Sequence, residues 1–293
     1  MRLFKNTNID FVSKSSIAKL FSILLIILSI SSLVYKGGPT LSIDFTGGTI
    51  VQLKFDEKVE ISDLRNTLSG QTFENSEIII FGDPDEVLIK TQFSGSNSEL
   101  EADLSSLIKS SFEIRRIESV GPKIGKELQS DALNAILLSL LLILIYISFR
   151  FDRFYAYGSV VALVHDVTIT LGIFSLLNIE IDLTIIAAFL TIVGYSLNDT
   201  IVVFDRIREN VTKHARESLE KIINISLNST LARTIVTSFT TFVVVLSLFL
   251  FGGEVIKNFA FALIVGVFIG TYSSIYVASP VMMYFEKKSL SKK

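Results

Sequence analysis

The chain has 293 residues, 49% of which are hydrophobic, and its mean hydropathy of +0.55 is too apolar for a water-soluble domain of this length. Its formal net charge of -2 argues against nucleic acid as a partner, because binding phosphates requires a surplus of basic residues on one face. The sequence has no cysteine, which excludes disulfides and thiolate chemistry. It has only two histidines, His165 and His214, which argues against a metal centre. We therefore predict no cofactor.

Mostly apolar runs of about 20 residues, bounded by charge, are long enough to cross a hydrocarbon core. In chain order these predicted spans cover residues 16–35, 132–149, 154–177, 183–204, 229–251 and 256–284. The first run follows Lys14 and Lys19, as in a signal peptide, but it is long and lacks an A-x-A-like cleavage site, so we predict a retained anchor. The pattern predicts a polytopic α-helical membrane protein with six transmembrane helices.

Basic residues in the flanks of the spans predict their orientation, because Lys and Arg are preferentially kept in the cytoplasm. Such residues precede the first span, follow the second, occupy the loop after the fourth and end the chain: Arg2, Lys5, Lys14, Arg150, Arg153, Arg206, Arg208, Lys213, Arg216, Lys221, Lys287, Lys288, Lys292 and Lys293. On the opposite side, the short loops 178–182 and 252–257 contain a single basic residue, Lys257. We therefore predict that both termini are cytoplasmic.

The polar region between the first two spans is predicted to be a small α+β domain on the outer face, at residues 37–128. Its runs alternate in the order βαββαβ, with strands at residues 49–55, 76–81, 86–92 and 112–120 and helices at 61–68 and 98–110. This order is typical of the split βαβ, ferredoxin-like arrangement. The predicted domains are thus 1–36, the N-terminus with the first transmembrane helix; 37–128; and 129–293, the five remaining helices with the tail.

A glycine-containing motif comes soon after the first span and consists of Asp44, Phe45, Thr46, Gly47 and Gly48. Paired glycines permit a positive φ angle or a close approach of two backbone segments. A phosphate-binding loop is disfavoured because no Lys-Ser/Thr pair or helix start follows, so turn geometry is favoured over ligand binding. A second segment, residues 120–125, is interpreted as a bend between the last strand and the second membrane helix.

Ionisable side chains within the spans are the main functional candidates, because burying one in hydrocarbon costs at least ~2.5 kcal/mol. Asp199 lies in the fourth span and Arg233 just inside the cytoplasmic end of the fifth. Both are about four to six residues, or ~6–9 Å, from the same interface, so a contact, direct or through water, is possible. A helix movement that changed their separation could then load and release a proton. The alternative is that Arg233 extends to the head groups while Asp199 faces a vestibule.

Other polar residues within the spans leave two interpretations open. His165 and Asp166, in the middle of the third span, could relay protons or could only hydrogen-bond to a neighbouring helix. Asn198 is interpreted as an interhelical hydrogen-bonding group. The basic segment 206–210 is interpreted as a positive flank in contact with membrane lipid rather than as a partner site.

Four segments resemble the signatures of the SecD/SecF family, and specifically of its SecF branch. They are residues 44–49, 120–125, 164–166 and, above all, 193–210. The resemblance runs nearly end to end, and the outer region is too small for SecD. It implies a non-enzymatic subunit of the bacterial Sec export machinery, of the resistance-nodulation-division type, located in the inner membrane with its outer domain in the periplasm.

The same resemblance implies that the chain uses the proton-motive force together with SecD to help a translocating preprotein pass through the SecYEG channel. It also implies that Asp199 and Arg233 take part in proton conduction. The alternatives are a proton-coupled small-molecule exporter subunit, which would need a larger outer region, and a structural scaffold, in which neutralising Asp199 would be harmless.

Overall fold

The computed structural model describes residues 7–68, 73, 76–93 and 95–290, so Arg2, Lys5, Lys292 and Lys293 of the predicted flanks lie outside the described residues. The strands are β1 (Gly48–Phe55), β2 (Glu77–Ile80), β3 (Glu86–Thr91) and β4 (Phe112–Val120). The helices are α1 (Phe11–Tyr35), α2 (Ile43–Thr46), α3 (Ile61–Leu68), α4 (Asn97–Leu107), α5 (Pro122–Arg150), α6 (Arg153–Leu176), α7 (Leu183–Lys213), α8 (Leu219–Phe251), α9 (Glu254–Ser273) and α10 (Ser279–Leu290), with a π-helical turn (Ser274–Ala278) between the last two.

The chain divides into two compact units. The helical unit extends to Thr40 and resumes at Ala135, and the sheet unit is Leu41–Asn134. These limits lie a few residues beyond the predicted ones at 36/37 and 128/129. The placement of the sheet unit on the outer face of the membrane stays a prediction.

The sheet unit has the predicted order of elements. Its antiparallel sheet has the strand order β2-β3-β1-β4, with Val51 of β1 paired with Ile89 of β3 and Ile117 of β4. Alternate residues of β1 are buried, and they pack against Leu64 of α3 and Leu100 of α4 in one apolar core. The ferredoxin-like classification of this unit stays a prediction.

The predicted strands are confirmed to within one or two residues at each end, whereas α4 is shorter than predicted. It begins after Ser96, because the Ser96 hydroxyl accepts a hydrogen bond from the Glu99 amide while the Glu99 carboxylate accepts one from the Ser96 amide. It ends at Leu107 because Ile108 already has an extended backbone conformation.

The two glycine-containing segments lie against each other within the sheet unit. Gly47 and Gly48 have φ angles of 77° and 135°, a region that other residues rarely occupy. A Cβ atom on Gly48 would lie 2.8 Å from the Thr91 carbonyl oxygen, and one on Gly125 would lie 2.9 Å from that of Phe45. The expected positive φ angles and close backbone approach are therefore confirmed, and β4 passes into α5 at residues 120–122, as the predicted bend requires.

Among the described residues, six helical segments are long and apolar enough to cross a membrane, as the sequence predicts. They are α1, α5, α6, α7, α8 and the run from Val255 to Ser289. The basic segment between the fourth and fifth predicted spans, described from the sequence as a loop, is mostly helical, because α7 continues to Lys213 and α8 starts at Leu219. Charged residues end the hydrophobic run of the fourth span, but the helix continues through them. Here Glu209 pairs with Arg206 and Lys213 along α7, which stabilises the charged helical turns.

Small and hydroxylated side chains form the contacts of α1 with the rest of the helical unit. Its buried residues are Phe11, Ser15, Ala18, Ser22, Ser29 and Ser32, whereas its large aliphatic residues are mostly exposed. Gly172 of α6 packs so closely on Ser29 that a Cβ atom there would overlap it, and Ser32 lies 2.8 Å from Ser175 between their hydroxyl oxygens. Helices in lipid pack in this way because small residues allow their backbones to approach closely.

Candidate functional site

Among the residues whose burial the structure describes, two carboxylates are buried inside the helical unit. Asp199 of α7 is 8% exposed and Asp166 of α6 is 1% exposed. Side chains that must lose water in this way are expected to be fully hydrogen-bonded or to have a functional role. Their surroundings therefore define the candidate site.

Asp199 joins three helical segments through hydroxyl groups. Its Oδ1 atom accepts a hydrogen bond of 2.9 Å from Thr234 of α8. Its Oδ2 atom accepts one of 2.7 Å from Ser274, the first residue of the π-helical turn. Movement of either neighbouring segment would therefore change the polar environment of this carboxylate.

Arg233, the predicted partner of Asp199, is exposed on α8. It interacts electrostatically with Asp199, but within the described part of the chain the two form no direct ion pair. Successive residues of an α-helix point about 100° apart. Because Thr234 faces Asp199, Arg233 faces a different direction, toward the outside of the helical unit.

Asp166 is held by side chains of three helices. Its Oδ1 atom lies 2.8 Å from Nδ1 of His165, and its Oδ2 atom accepts hydrogen bonds of 2.5 Å from Ser196 of α7 and 2.7 Å from Ser273 of α9. The Nε2 atom of His165 lies 3.1 Å from the Ser22 hydroxyl oxygen of α1. These two polar residues thus connect helices, and a relay role for them stays a prediction.

The two carboxylates meet the last span at consecutive residues. Ser273 donates to Asp166 and Ser274 donates to Asp199, at the point where α9 passes into the π-helical turn. The Ser279 hydroxyl donates to the Ser274 carbonyl oxygen at 3.0 Å across that turn. Isolated π-helical turns often occur at functional sites because they change which side chains share a helix face.

Sequence reasoning identified the acids and His165 but missed the hydroxyl groups that contact them: Thr234 and Ser274 at Asp199, Ser196 and Ser273 at Asp166, and Ser22 at His165. The available signal was the Ser273–Ser274 pair in an otherwise apolar span, and Thr234 directly after Arg233. Asn198 lies exposed on α7, and its predicted interhelical hydrogen bond stays a prediction. No group of His, Cys, Asp and Glu among the described residues could hold a metal ion.

The segment after Asp199 is held by contacts that the lipid-flank interpretation did not anticipate. Arg150 of α5 donates hydrogen bonds to both carboxylate oxygens of Asp205, at 2.7 and 2.8 Å. Arg206 donates to the Ser229 hydroxyl and Asn210 to the Ser226 hydroxyl, both on α8. This part of α7 therefore forms helix–helix contacts.

The spans, the buried acids and the small sheet unit define a multi-pass membrane protein. Residues 100–288 match the family model of the protein export membrane protein SecD/SecF, C-terminal, and residues 35–59 match that of the SecD/SecF GG motif. The chain belongs to the SecD/SecF family of protein export membrane proteins.

Individual relatives agree with this assignment. The protein translocase subunit SecF of Calditerrivibrio nitroreducens is 44% identical over an alignment covering 100% of this chain and 99% of the relative. That of Vibrio alginolyticus is 46% identical, covering 94% of this chain and 89% of the relative. The crystal structure of SecDF, a translocon-associated membrane protein from Thermus thermophilus, is 40% identical with a TM-score of 0.87, covering 96% of this chain and 39% of that one. The chain thus spans well under half the length of that SecDF protein.

Proposed function

We propose that this chain is a SecF-type subunit of the bacterial Sec protein-export machinery that uses the proton-motive force, together with SecD, to assist polypeptide translocation through SecYEG. The family assignment supports the role in export. The observation that carries the proton-driven part is Asp199, a buried carboxylate bonded by hydroxyls of two other helical segments.

Hydroxyl partners suit a group that changes its protonation state. A serine or threonine hydroxyl can donate to a carboxylate or, after rotation, accept from a carboxylic acid. Thr234 and Ser274 can therefore bond to Asp199 in both states, with a different donor arrangement in each. Protonation of Asp199 would thus alter its links to α8 and to the π-helical turn, and so couple proton binding to helix position.

The exposed guanidinium of Arg233 supports the presence of a partner subunit within the membrane. A charge on the outside of a transmembrane bundle is costly in lipid, so Arg233 is expected to be covered by another subunit or to reach the head groups. Asn198, Gly194 and Thr191 are exposed along α7, and small or polar residues of this kind form helix interfaces in membranes. We assign Arg233 and these exposed residues of α7 to the contact with SecD. The membrane helices of SecD would supply further proton-accepting groups.

The orientation of the chain follows from its basic flanks and gives the direction of proton flow. With both termini in the cytoplasm, the sheet unit is periplasmic and the described cations Arg150, Arg153 and Arg208 are cytoplasmic. A proton that moves inward through the inner membrane releases ~2.3 kcal/mol per 100 mV. Repeated cycles at Asp199 would supply the energy for movements of the periplasmic unit that assist the translocating polypeptide.

The test is the replacement Asp199→Asn, which keeps the size and oxygen acceptor of the side chain but removes its proton-binding capacity. Translocation is measured in inverted membrane vesicles that contain SecD and SecYEG, with and without a proton gradient. We expect the variant to insert and to associate with SecD but to lose the stimulation by the gradient.

The matched control is Glu209→Gln, which neutralises an exposed acid further along the same helix and should keep the stimulation. Equal stimulation of the wild type and Asp199→Asn would contradict the proposal and favour a structural scaffold.

A further inference from the structure

Two asparagines of α8 hold the backbone at the start of α1. Asn224 and Asn228 are four residues apart, so they lie on the same face of the helix. The Oδ1 atom of Asn224 accepts hydrogen bonds from the amides of Phe11 and Val12, at 2.9 and 3.1 Å. The first N–H groups of a helix have no partner within that helix. Asn224 therefore caps α1 from a different helix.

The remaining groups of the two side chains complete this contact. Asp10, the N-cap residue of α1, accepts a hydrogen bond of 2.8 Å from Nδ2 of Asn224. Asn228 accepts one of 2.9 Å from the amide of Ile9 and donates one of 2.8 Å to the carbonyl oxygen of the same residue. We call this set, the two asparagines with residues 9–12, the α1–α8 clamp. It fixes the first turns of α8 against the start of α1.

The same turns of α8 are bonded to α7 as well. The Ser226 hydroxyl accepts a hydrogen bond from Asn210, and the Ser229 hydroxyl accepts one from Arg206, both at 2.9 Å. Leu227 in these turns is 2% exposed and belongs to the apolar core of the helical unit. The first turns of α8 are therefore held by two other helices.

The rest of α8, residues 235–251, is held less firmly. It has one buried side chain, Val245, and large apolar residues such as Phe239, which is 62% exposed. Ser238 lies 2.7 Å from Thr271 of α9 between their hydroxyl oxygens. This part of α8 therefore meets α9 through a largely exposed segment.

In contrast, α9 packs closely on α7. A Cβ atom on Gly266 would overlap Ile192, and one on Gly270 would lie 3.0 Å from Ser196. Closely packed surfaces of this kind do not shift by small amounts without losing their contacts. Of the two helices, α8 is therefore the one with more freedom to move.

Asp199 bonds to α8 at Thr234, where the firmly held part ends. We propose that the α1–α8 clamp keeps the first turns of α8 fixed, so that the movement of α8 that follows a change at Asp199 takes place in residues 235–251, against α9. This inference rests on the proposed function, in which Asp199 binds and releases a proton. Asn224 and Asn228 are positioning residues that keep Thr234 within reach of Asp199.

The first test changes the charge at the clamp. Asn224→Asp places a second carboxylate where Nδ2 donates to Asp10, and the two charges repel each other. Adding Asp10→Asn removes the repulsion and supplies a new amide donor. The full chain is reconstituted with SecD and SecYEG in vesicles. Gradient-stimulated translocation is measured, together with hydrogen exchange of residues 9–12.

We expect residues 9–12 of Asn224→Asp to exchange about tenfold faster than in the wild type, because a hydrogen bond to a charged group is lost. The variant should also lose most of the stimulation, and the double variant should regain both properties. Unchanged exchange in Asn224→Asp, or no recovery in the double variant, would overturn the clamp. Faster exchange with full stimulation would show that transport does not need the clamp, and the proposal would fail.

The second test locates the movement. Because the sequence has no cysteine, Ser238→Cys with Thr271→Cys introduces one thiol pair, which ties residues 235–251 to α9 on oxidation. We expect oxidation to abolish the stimulation and reduction to restore it. The matched control is Ser32→Cys with Ser175→Cys, a hydroxyl pair of 2.8 Å between α1 and α6, which should keep the stimulation when oxidised. Full stimulation with the α8–α9 disulfide formed would overturn the proposal.

Failure of this inference and failure of the proposed function give different results. If Asp199→Asn keeps full stimulation, the proposed function fails, whereas the exchange rates of the Asn224 variants still decide whether the clamp exists. If Asp199→Asn loses the stimulation but the α8–α9 disulfide does not affect it, the proposed function stands and this inference is wrong.

Discussion

The sheet unit and the helical unit differ in how many polar side chains they bury. In the sheet unit the interior is aliphatic and aromatic, with Val51, Leu53 and Ile89 fully buried. The helical unit also has a buried apolar cluster, which includes Phe204 and Ile207. In addition, four serines of α1 and the acids of α6 and α7 are buried there, whereas Ile17 and Leu20 of α1 are exposed.

The difference follows from the solvent that each kind of surface meets. In water, burying apolar surface is the main driving force for folding. Lipid tails are as apolar as leucine, so helices in a bilayer associate through close packing and hydrogen bonds instead. The same substitution should therefore have different effects in the two units, and each prediction below tests one side of this contrast.

The largest effect is expected for Leu53→Ala in β1, because this replacement leaves a cavity in an apolar core from which water is excluded. We expect the unfolding free energy of the sheet unit to fall by about 2–5 kcal/mol. Hydrogen exchange of the β1 amides in the full chain measures this loss. The control is Ile80→Ala, since Ile80 is 45% exposed on β2 and its truncation should cost far less. Equal losses in the two variants would show that burial in this unit does not determine stability.

A smaller effect is expected for Gly172→Leu on α6, where the added side chain would overlap Ser29 of α1. Separating these helices should cost about 1–3 kcal/mol, as overpacking does in other cores. Thermal unfolding of the chain in detergent, monitored by helical circular dichroism, measures the change. The matched control is Gly194→Leu on α7, where a Cβ atom meets no other atom within 4 Å.

Gly194→Leu should leave the isolated chain as stable as the wild type, yet weaken its association with SecD if the proposed interface is correct. Similar stability of the Gly172 and Gly194 variants would contradict the idea that close packing of α1 on α6 holds the helical unit together.

The same contrast explains how much could be predicted from the sequence. Strands such as β1 were predicted nearly to the residue because alternating burial in water leaves a clear pattern of apolar side chains. The spans were found by their hydropathy. The C-terminal end of α7 and the N-terminal end of α8 were not found, since charged helical turns resemble loops in a hydropathy profile.

Within the helical unit the acids could be found but their partners could not. A charge in a span is conspicuous, so Asp199 and Asp166 were singled out. The hydroxyls that bind them are ordinary residues of membrane helices, and their roles depend on which helices are neighbours. The π-helical turn that brings Ser273 and Ser274 to the two acids leaves no sequence pattern that we could recognise.

The smallest predicted effect concerns the start of α4 in the sheet unit, where an exposed polar contact is expected to matter only locally. The hydrogen bond from the Ser96 amide lowers the pKa of Glu99 from its ordinary value. A carboxylate with a lowered pKa in the folded state adds stability that is complete above the pKa of the unfolded chain, near 4.5, and is lost as the pH falls through the folded value.

Protection of the Ser96 amide, corrected for the intrinsic pH dependence of exchange, should therefore decline on acidification in the wild type. In Glu99→Gln it should be weaker from the start and nearly independent of pH over that range. The control Glu101→Gln neutralises another exposed acid of α4 and should follow the wild type. A parallel decline in all three proteins would show that the Ser96–Glu99 contact does not stabilise this helix end, and that the aliphatic core alone determines the order of α4.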